Sequence, residues 1–210
     1  MLTFAPMDEK LREIILSAMQ VFLKLGFKNV SMDDMAKQLR VSKKTLYKYF
    51  TDKNDLVKQS ISLGIEMDCL AISTCIDKTD NVIEELLNVT EYISIKMQQA
   101  HPSIFFELEK YYPESWAIFS EYRKIFTCTC MLENLDRGIA AGWYREELNT
   151  TVVAKFFLEI LDSVFQQSQE VNQQMSFVEL HRNAVMYHLH SITNTQGKTH
   201  LEKIINQRAN

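Results

Sequence analysis

The chain has 210 residues, 46% of them hydrophobic, with only 5 Gly and 3 Pro against 10 Met. That is enough apolar material to bury a core, which excludes a disordered chain. The sparse punctuation favours long helical segments over short strands, in one small module plus a larger helical domain. The formal net charge of −4 averages two unlike parts, since residues 1–60 hold 11 Lys and Arg against 7 Asp and Glu (+4) and the remainder 12 against 20 (−8). Phosphate attracts local positive charge, so a basic end on an acidic body is compatible with DNA contact confined to that end.

Residues 1–6 have no basic n-region or apolar h-region, and no window approaches 18 uncharged apolar residues. The expectation is a cytoplasmic chain with no membrane partner. Cys69, Cys75, Cys128 and Cys130 lack paired CxxC spacing, so free, mostly buried thiols are expected, with no metal site and no cofactor.

In chain order, Leu11, Ile14, Ile15, Ala18 and Phe22 predict a first helix over residues 8–24, ended by Gly26, with Asp8 and Glu9 favourably placed in its first turn. A second begins at Ser31, where Asp34 three residues on completes a capping-box pattern; Met32, Met35, Ala36 and Leu39 are its apolar face. After the turn at Arg40 and Val41, Ser42 caps a third helix over residues 43–50. Thr51, Asp52 and Lys53 break it and cap the next, predicted over residues 53–75 with Leu56, Val57 and Ile61 on its buried side.

A stripe from Ile83 to Met97 predicts a helix ending near His101. Pro102 and Pro113 each suit the first position of a new one. Residues 113–141 read as one long helix stopped by Gly142. Two more follow, at residues 152–170 and, behind a Ser176–Glu179 box, to about Thr193. The polar segment from Asn194 is expected to fray. The total is about nine helices in an all-α fold: residues 1–52 a three-helix module with the helix-turn-helix of a DNA-binding domain, residues 53–195 a larger helical domain, and residues 196–210 a polar tail.

Two short capped helices joined by a tight turn let one helix brace another in the major groove. On the third helix, Leu46 and Phe50 point inward while Lys44, Thr45 and Lys48 point outward, with Tyr47 on the flank. Lys44 and Lys48 are like charges at i, i+4, costing an isolated helix roughly 0.2–0.5 kcal/mol. An anionic partner would remove that cost. Tyr47 and Tyr49 offer hydroxyls to phosphate, and Thr45 a methyl or hydroxyl to a base edge; Ser31, Ser42, Lys43 and Lys53 lie at helix N-termini, where phosphate is also favoured. Taken alone, the lysines also fit a solvated face and the tyrosines interhelical packing; Tyr49 lies nearer the buried side. Their position in the motif favours DNA contact.

The string from Ser31 to Leu56, with the Thr45-Leu46-Tyr47-Lys48-Tyr49-Phe50 core followed by Lys53, resembles the TetR family of regulators over about residues 8–56. The resemblance implies a homodimer paired through the last two long helices, and a variable C-terminal domain whose small-molecule effector controls affinity for double-stranded operator DNA. Family members often have Gly at the position of Arg40 and a small residue at that of Lys44, so base preference does not carry over.

In the C-terminal part, Met67, Phe105, Trp116, Phe119 and Phe126 suit either core or an apolar effector pocket, and the pocket residues stay unassigned. His181 and His188, at i, i+7, are too far apart for one metal without a third element. No catalytic constellation is assembled. The broad apolar surface of residues 152–165 exceeds one stripe, which requires either full burial or a partner subunit. The expected function is a ligand-responsive repressor. The alternative, a helical small-molecule-binding or protein-interaction module without operator binding, would suit a neutral or acidic third helix, whereas this one is basic.

Overall fold

The computed structural model describes residues 8–167 and 175–209. Among these the helices are α1 (Glu9–Leu25), α2 (Met32–Gln38), α3 (Lys43–Tyr49), α4 (Lys53–Asp77), α5 (Val82–Gln98), α6 (Ile104–Tyr111), α7 (Pro113–Ala140), α8 (Thr150–Gln167), α9 (Phe177–Ile192) and α10 (Thr195–Ala209). There is no strand among the described residues, and no helix there is long and apolar enough to cross a membrane. The chain divides into two compact units, Met1–Cys69 with Gln99–Glu121 and Leu70–Gln98 with Tyr122–Asn210.

In the first unit, α1 buries Ile14, Ile15, Ala18 and Phe22, the stripe its periodicity predicts. Asp8 caps its start by accepting the Leu11 amide at 3.0 Å, and Gly26, at φ +78°, ends it. The chain then turns Phe27 inward, with its ring centroid 5.1 Å from Phe22 and 5.7 Å from Tyr112. Met35 of α2, Leu46 and Phe50 around α3, and Leu56 and Val57 of α4 join this core, and Ile104 and Leu108 of α6 help complete it. Each such side chain contributes about 1.5–3 kcal/mol on burial.

The second unit is organised around a buried polar network. Glu85, 2% exposed, accepts from the Arg137 guanidinium at 2.7 and 2.9 Å and from the Asn134 amide at 3.0 Å. The Tyr144 hydroxyl donates to Asn134 Oδ1 at 2.9 Å, and burial pushes its phenol far above the ordinary range. Such a network stabilises only when every member is paired, and here each of the four residues has a partner. Gly138 makes room for it, since a Cβ there would stand 2.1 Å from the edge of the Tyr144 ring. Around it, α5 and α8 pack on α9, and α10 packs on α5.

Several expectations are corrected. The segment from Asn194 does not fray: Asn194 caps α10, accepting the Gly197 amide at 2.9 Å and donating to the Gly142 carbonyl at 2.8 Å, and Leu201 and Ile204 are buried. This makes ten helices among the described residues, not nine. Pro102 lies two residues ahead of α6, whereas Pro113 does open α7. Of the cysteines only Cys75 is buried, the other three being half-buried. Glu170, the expected end of α8, and residues 1–6 lie outside the described residues.

His181 and His188 are core residues of α9, and His188 lies against the Phe157 ring with centroids 4.4 Å apart. Burial holds both imidazoles down at about 4, so they are neutral at pH 7. The unfolded chain takes up these protons near the ordinary value of 6.5 and the folded chain only near 4, so their neutral packing stabilises fully above 6.5.

Urea unfolding is therefore expected to show stability falling as pH drops from 7 to 5, each histidine contributing about 1.4 kcal/mol per unit of its depression. His188→Gln should flatten that slope; an unchanged slope counts against the assignment. In the second unit, Gly138→Ala should cost at least about 2 kcal/mol by overpacking the Tyr144 ring, read as a lower urea midpoint.

Candidate nucleic-acid interface

Helix α2 is capped reciprocally at its start. Ser31 Oγ accepts the Asp34 amide at 3.1 Å and donates to Asp34 Oδ2 at 2.5 Å, while that carboxylate accepts the Ser31 amide at 3.1 Å. These bonds hold Asp34 below the ordinary carboxyl range, the Ser31 hydroxyl contributing most. The helix ends in a Schellman arrangement, the Val41 amide donating to the Ala36 carbonyl at 3.0 Å and the Arg40 amide to that of Lys37 at 3.2 Å. Arg40 stands in the left-handed region at φ +54°. A side chain there costs about 1 kcal/mol relative to Gly, which is the physical reason Gly suits this position.

Helix α3 starts at once. Ser42 Oγ accepts the Thr45 amide at 3.0 Å and lies 2.8 Å from the Thr45 hydroxyl. Leu46 and Phe50 anchor the helix from below. That leaves Lys43, Lys44, Tyr47 and Lys48 exposed, with Tyr47 at 54%, while Thr45 and Tyr49 are half-buried. Lys43 reaches back to Asp33 Oδ2 at 2.6 Å and ties α3 to α2; an exposed pair like this contributes at most about 1 kcal/mol. The Lys48 ammonium stands 5.1 Å from the Tyr49 ring centroid, which aligns it along the outer face. No carboxylate pairs with Lys44 or Lys48 among the described residues.

Lys53 is placed differently from the α3 residues. It opens α4, which Asp52 caps by accepting the Asp55 amide at 2.9 Å. Its half-buried ammonium donates to the Lys28 carbonyl at 3.5 Å and lies 5.7 Å from the Tyr112 ring centroid. Burial pulls that ammonium below its ordinary value, against the opposing pull of Glu107 and Asp34. The structure thus gathers Ser42, Lys43, Lys44, Thr45, Tyr47 and Lys48 on α3 and its cap and leaves Tyr49 half inside. It engages Ser31 in its own box and sets Lys53 beside the α1–α2 turn.

Sequence reasoning missed the Asp33 tether, the left-handed backbone at Arg40 and the part played by Glu107 of α6. Glu107 is 5% exposed and accepts the Lys28 amide at 2.7 Å. The Gly at the family position of Arg40 was a usable signal for the second of these. The other two arise between residues whose spacing marks no shared element.

Residues 14–59 match the family model described as bacterial regulatory proteins, tetR family. The uncharacterized HTH-type transcriptional regulator YdeS of Bacillus subtilis is 26% identical over 151 residues, covering 70% of this chain and 74% of that protein. A transcriptional regulator from Cytophaga hutchinsonii shares the fold with a TM-score of 0.73 at 20% identity, covering 89% of this chain and all of that one (100%). The regulator FadR of Bacillus subtilis, solved in complex with stearoyl-CoA, aligns with a TM-score of 0.63 at 19% identity, covering 84% of this chain and 96% of that one. The capped α2–α3 pair lies inside the matched residues, so residues 14–59 carry a tetR-type helix-turn-helix, and the chain shares the fold of these transcriptional regulators along most of its length.

Proposed function

We propose that the protein is a repressor that binds a palindromic double-stranded operator as a homodimer and responds to an apolar small-molecule effector. The observation that carries DNA contact is the outer face of α3. Lys44 and Lys48 stand exposed one turn apart, unpaired by carboxylates among the described residues, on a helix whose opposite side is locked into the core. Ser42, Lys43, Thr45, Tyr47 and Tyr49 flank them, and Ser31 and Lys53 complete the contact set at the starts of α2 and α4. Tyr47 and Thr45 are the candidates for base edges and the lysines for phosphates.

Pairing is supported by the two-sided character of α8. Ala154, Phe157, Leu161 and Val164 face the core, while Val152 (42% exposed), Phe156 (65%) and Ile160 (41%) form an outer apolar stripe, as does Tyr187 (74%) on α9. A second copy pairing through α8 and α9 would cover these residues and present two α3 helices to successive major grooves. Roles then divide between DNA contact within residues 1–52, joined by Lys53 at the boundary, and effector binding and pairing within residues 53–195, with neither role given to residues 196–210. The stearoyl-CoA bound to the Bacillus subtilis FadR supports an effector that carries a long apolar segment. We further infer a cytoplasmic, non-enzymatic protein.

Selection from a random pool of double-stranded DNA should enrich a palindrome. The Lys44→Ala, Lys48→Ala double variant should bind it more weakly, with the slope of log affinity on log salt shallower by about 1.8 for two lost phosphate contacts. No enrichment at low salt by a folded dimer would remove the operator reading. In sedimentation, Phe156→Lys should shift dimer to monomer and weaken binding to the palindrome; a variant that stays dimeric rules out this face.

A further inference from the structure

The peptide groups of Lys28, in the α1–α2 turn, are held from both sides. The Lys28 amide donates to Glu107 Oε2 at 2.7 Å, and its carbonyl accepts from the Lys53 ammonium at 3.5 Å. Glu107 is 79 residues away in the chain, on α6, and it also accepts the Ser103 hydroxyl at 2.7 Å and the Phe27 amide. Three donors from two segments therefore converge on one buried carboxylate. Burial pushes its carboxyl up, but the bonds from Lys28, Ser103 and Phe27 outweigh burial and leave it below the ordinary range, so it is ionised at neutral pH.

The fit leaves no spare room. A Cβ on Gly26 would stand 2.7 Å from Glu107 Oε2, and Gly26 has φ +78°, so the turn takes the residue that tolerates both the backbone and the close approach. On the far side of the same turn, Tyr112 supports Lys53 as well as Phe27, its centroid 5.7 Å from the ammonium and 5.7 Å from the Phe27 ring. A free lysine samples many rotamers on its four-carbon stem. Here a carbonyl and a ring restrict it, and the carbonyl is fixed because its neighbouring amides are bound to Glu107.

We propose that Glu107 is a positioning residue for DNA binding: by holding the Phe27–Lys28 turn it sets the Lys28 carbonyl that aims the Lys53 ammonium at a backbone phosphate. The inference rests on the assignment of Lys53 as a phosphate contact made above. It runs against simple electrostatics, because a carboxylate near DNA repels phosphate and its removal would by itself tighten binding. Glutamine in its place keeps one oxygen for the turn and can donate its NH2 group to Ser103 Oγ, but it exchanges the charge-assisted bond to the Lys28 amide for a weaker neutral one, so the turn is held less firmly.

The test uses the full chain and a labelled random-sequence duplex of about 30 base pairs, so the operator need not be known; affinity is read across a salt series. Lys53→Ala is expected to bind roughly fivefold more weakly, with a salt slope shallower by about 0.9. Glu107→Gln should move in the same direction, weaker and shallower although it removes a negative charge, and the double variant should bind no more weakly than Lys53→Ala alone. Tighter or unchanged binding by a folded Glu107→Gln protein, or a loss that adds in full to that of Lys53→Ala, overturns the proposal. A lower melting temperature with an unchanged slope also overturns it, leaving Glu107 a stabilising residue only. If Lys53→Ala binds like the wild type, the assignment of Lys53 fails and the proposal with it; a wild type that binds no duplex at low salt removes the DNA-binding reading itself. Should Glu107→Gln not fold, Ser103→Ala, which removes one donor and keeps the charge, is expected to weaken binding in the same direction with a shallower slope, and unchanged binding overturns the proposal.

Discussion

Helices of seven residues do not persist alone, because nucleation costs more than two turns of hydrogen bonds return. Helices α2 and α3 are both of this length, and they exist because Met35, Leu46 and Phe50 are buried in a core shared with α1, α4 and α6. That burial is the constraint on which the proposed DNA-contacting surface depends. With Leu46 and Phe50 fixed inward, helical geometry sends Lys44, Tyr47 and Lys48 outward. The Schellman turn through Arg40 then sets the angle at which α3 leaves α2. Backbone strain at Arg40, a tether from Lys43 to Asp33 and the Ser42 cap are small terms individually, and they act on the same few residues.

The first unit shows how a local motif comes to need distant sequence. Phe27 is sandwiched between Phe22 and Tyr112, and the turn that carries it is hydrogen-bonded to Glu107. Residues of α6 are thus part of the packing that supports the helix-turn-helix, although they lie some eighty residues beyond the turn, a separation of 79 for Lys28 and Glu107. The second unit is stabilised differently, by a satisfied polar network at Glu85, Asn134, Arg137 and Tyr144 inside an apolar shell. Removing any one member strands a buried donor or acceptor, which is costlier than never having built the network.

Helix α8 carries two apolar faces. Its residues at the spacing of Ala154, Phe157, Leu161 and Val164 meet the core, and those at the spacing of Val152, Phe156 and Ile160 remain outside it. One apolar face of α8 is used in folding, and the exposed one is the face proposed for pairing.

The sequence alone determined the all-α class, the order of the first nine helices, the Ser31 and Ser176 capping boxes, and the inward and outward faces of α3. Each of these follows from residues within a few positions of one another, where helical periodicity and side-chain caps act directly. The α10 helix was not legible because its buried residues, Leu201 and Ile204, are too few to make a stripe; its start depends on Asn194 bonding the Gly142 carbonyl from the end of another helix. Nothing in the sequence singled out Glu107, and Lys53 read as a cation at a helix N-terminus. Only the tertiary structure decided that the two meet at opposite sides of the Lys28 peptide groups, because long-range hydrogen bonds to a turn leave no periodic trace in the chain that makes them.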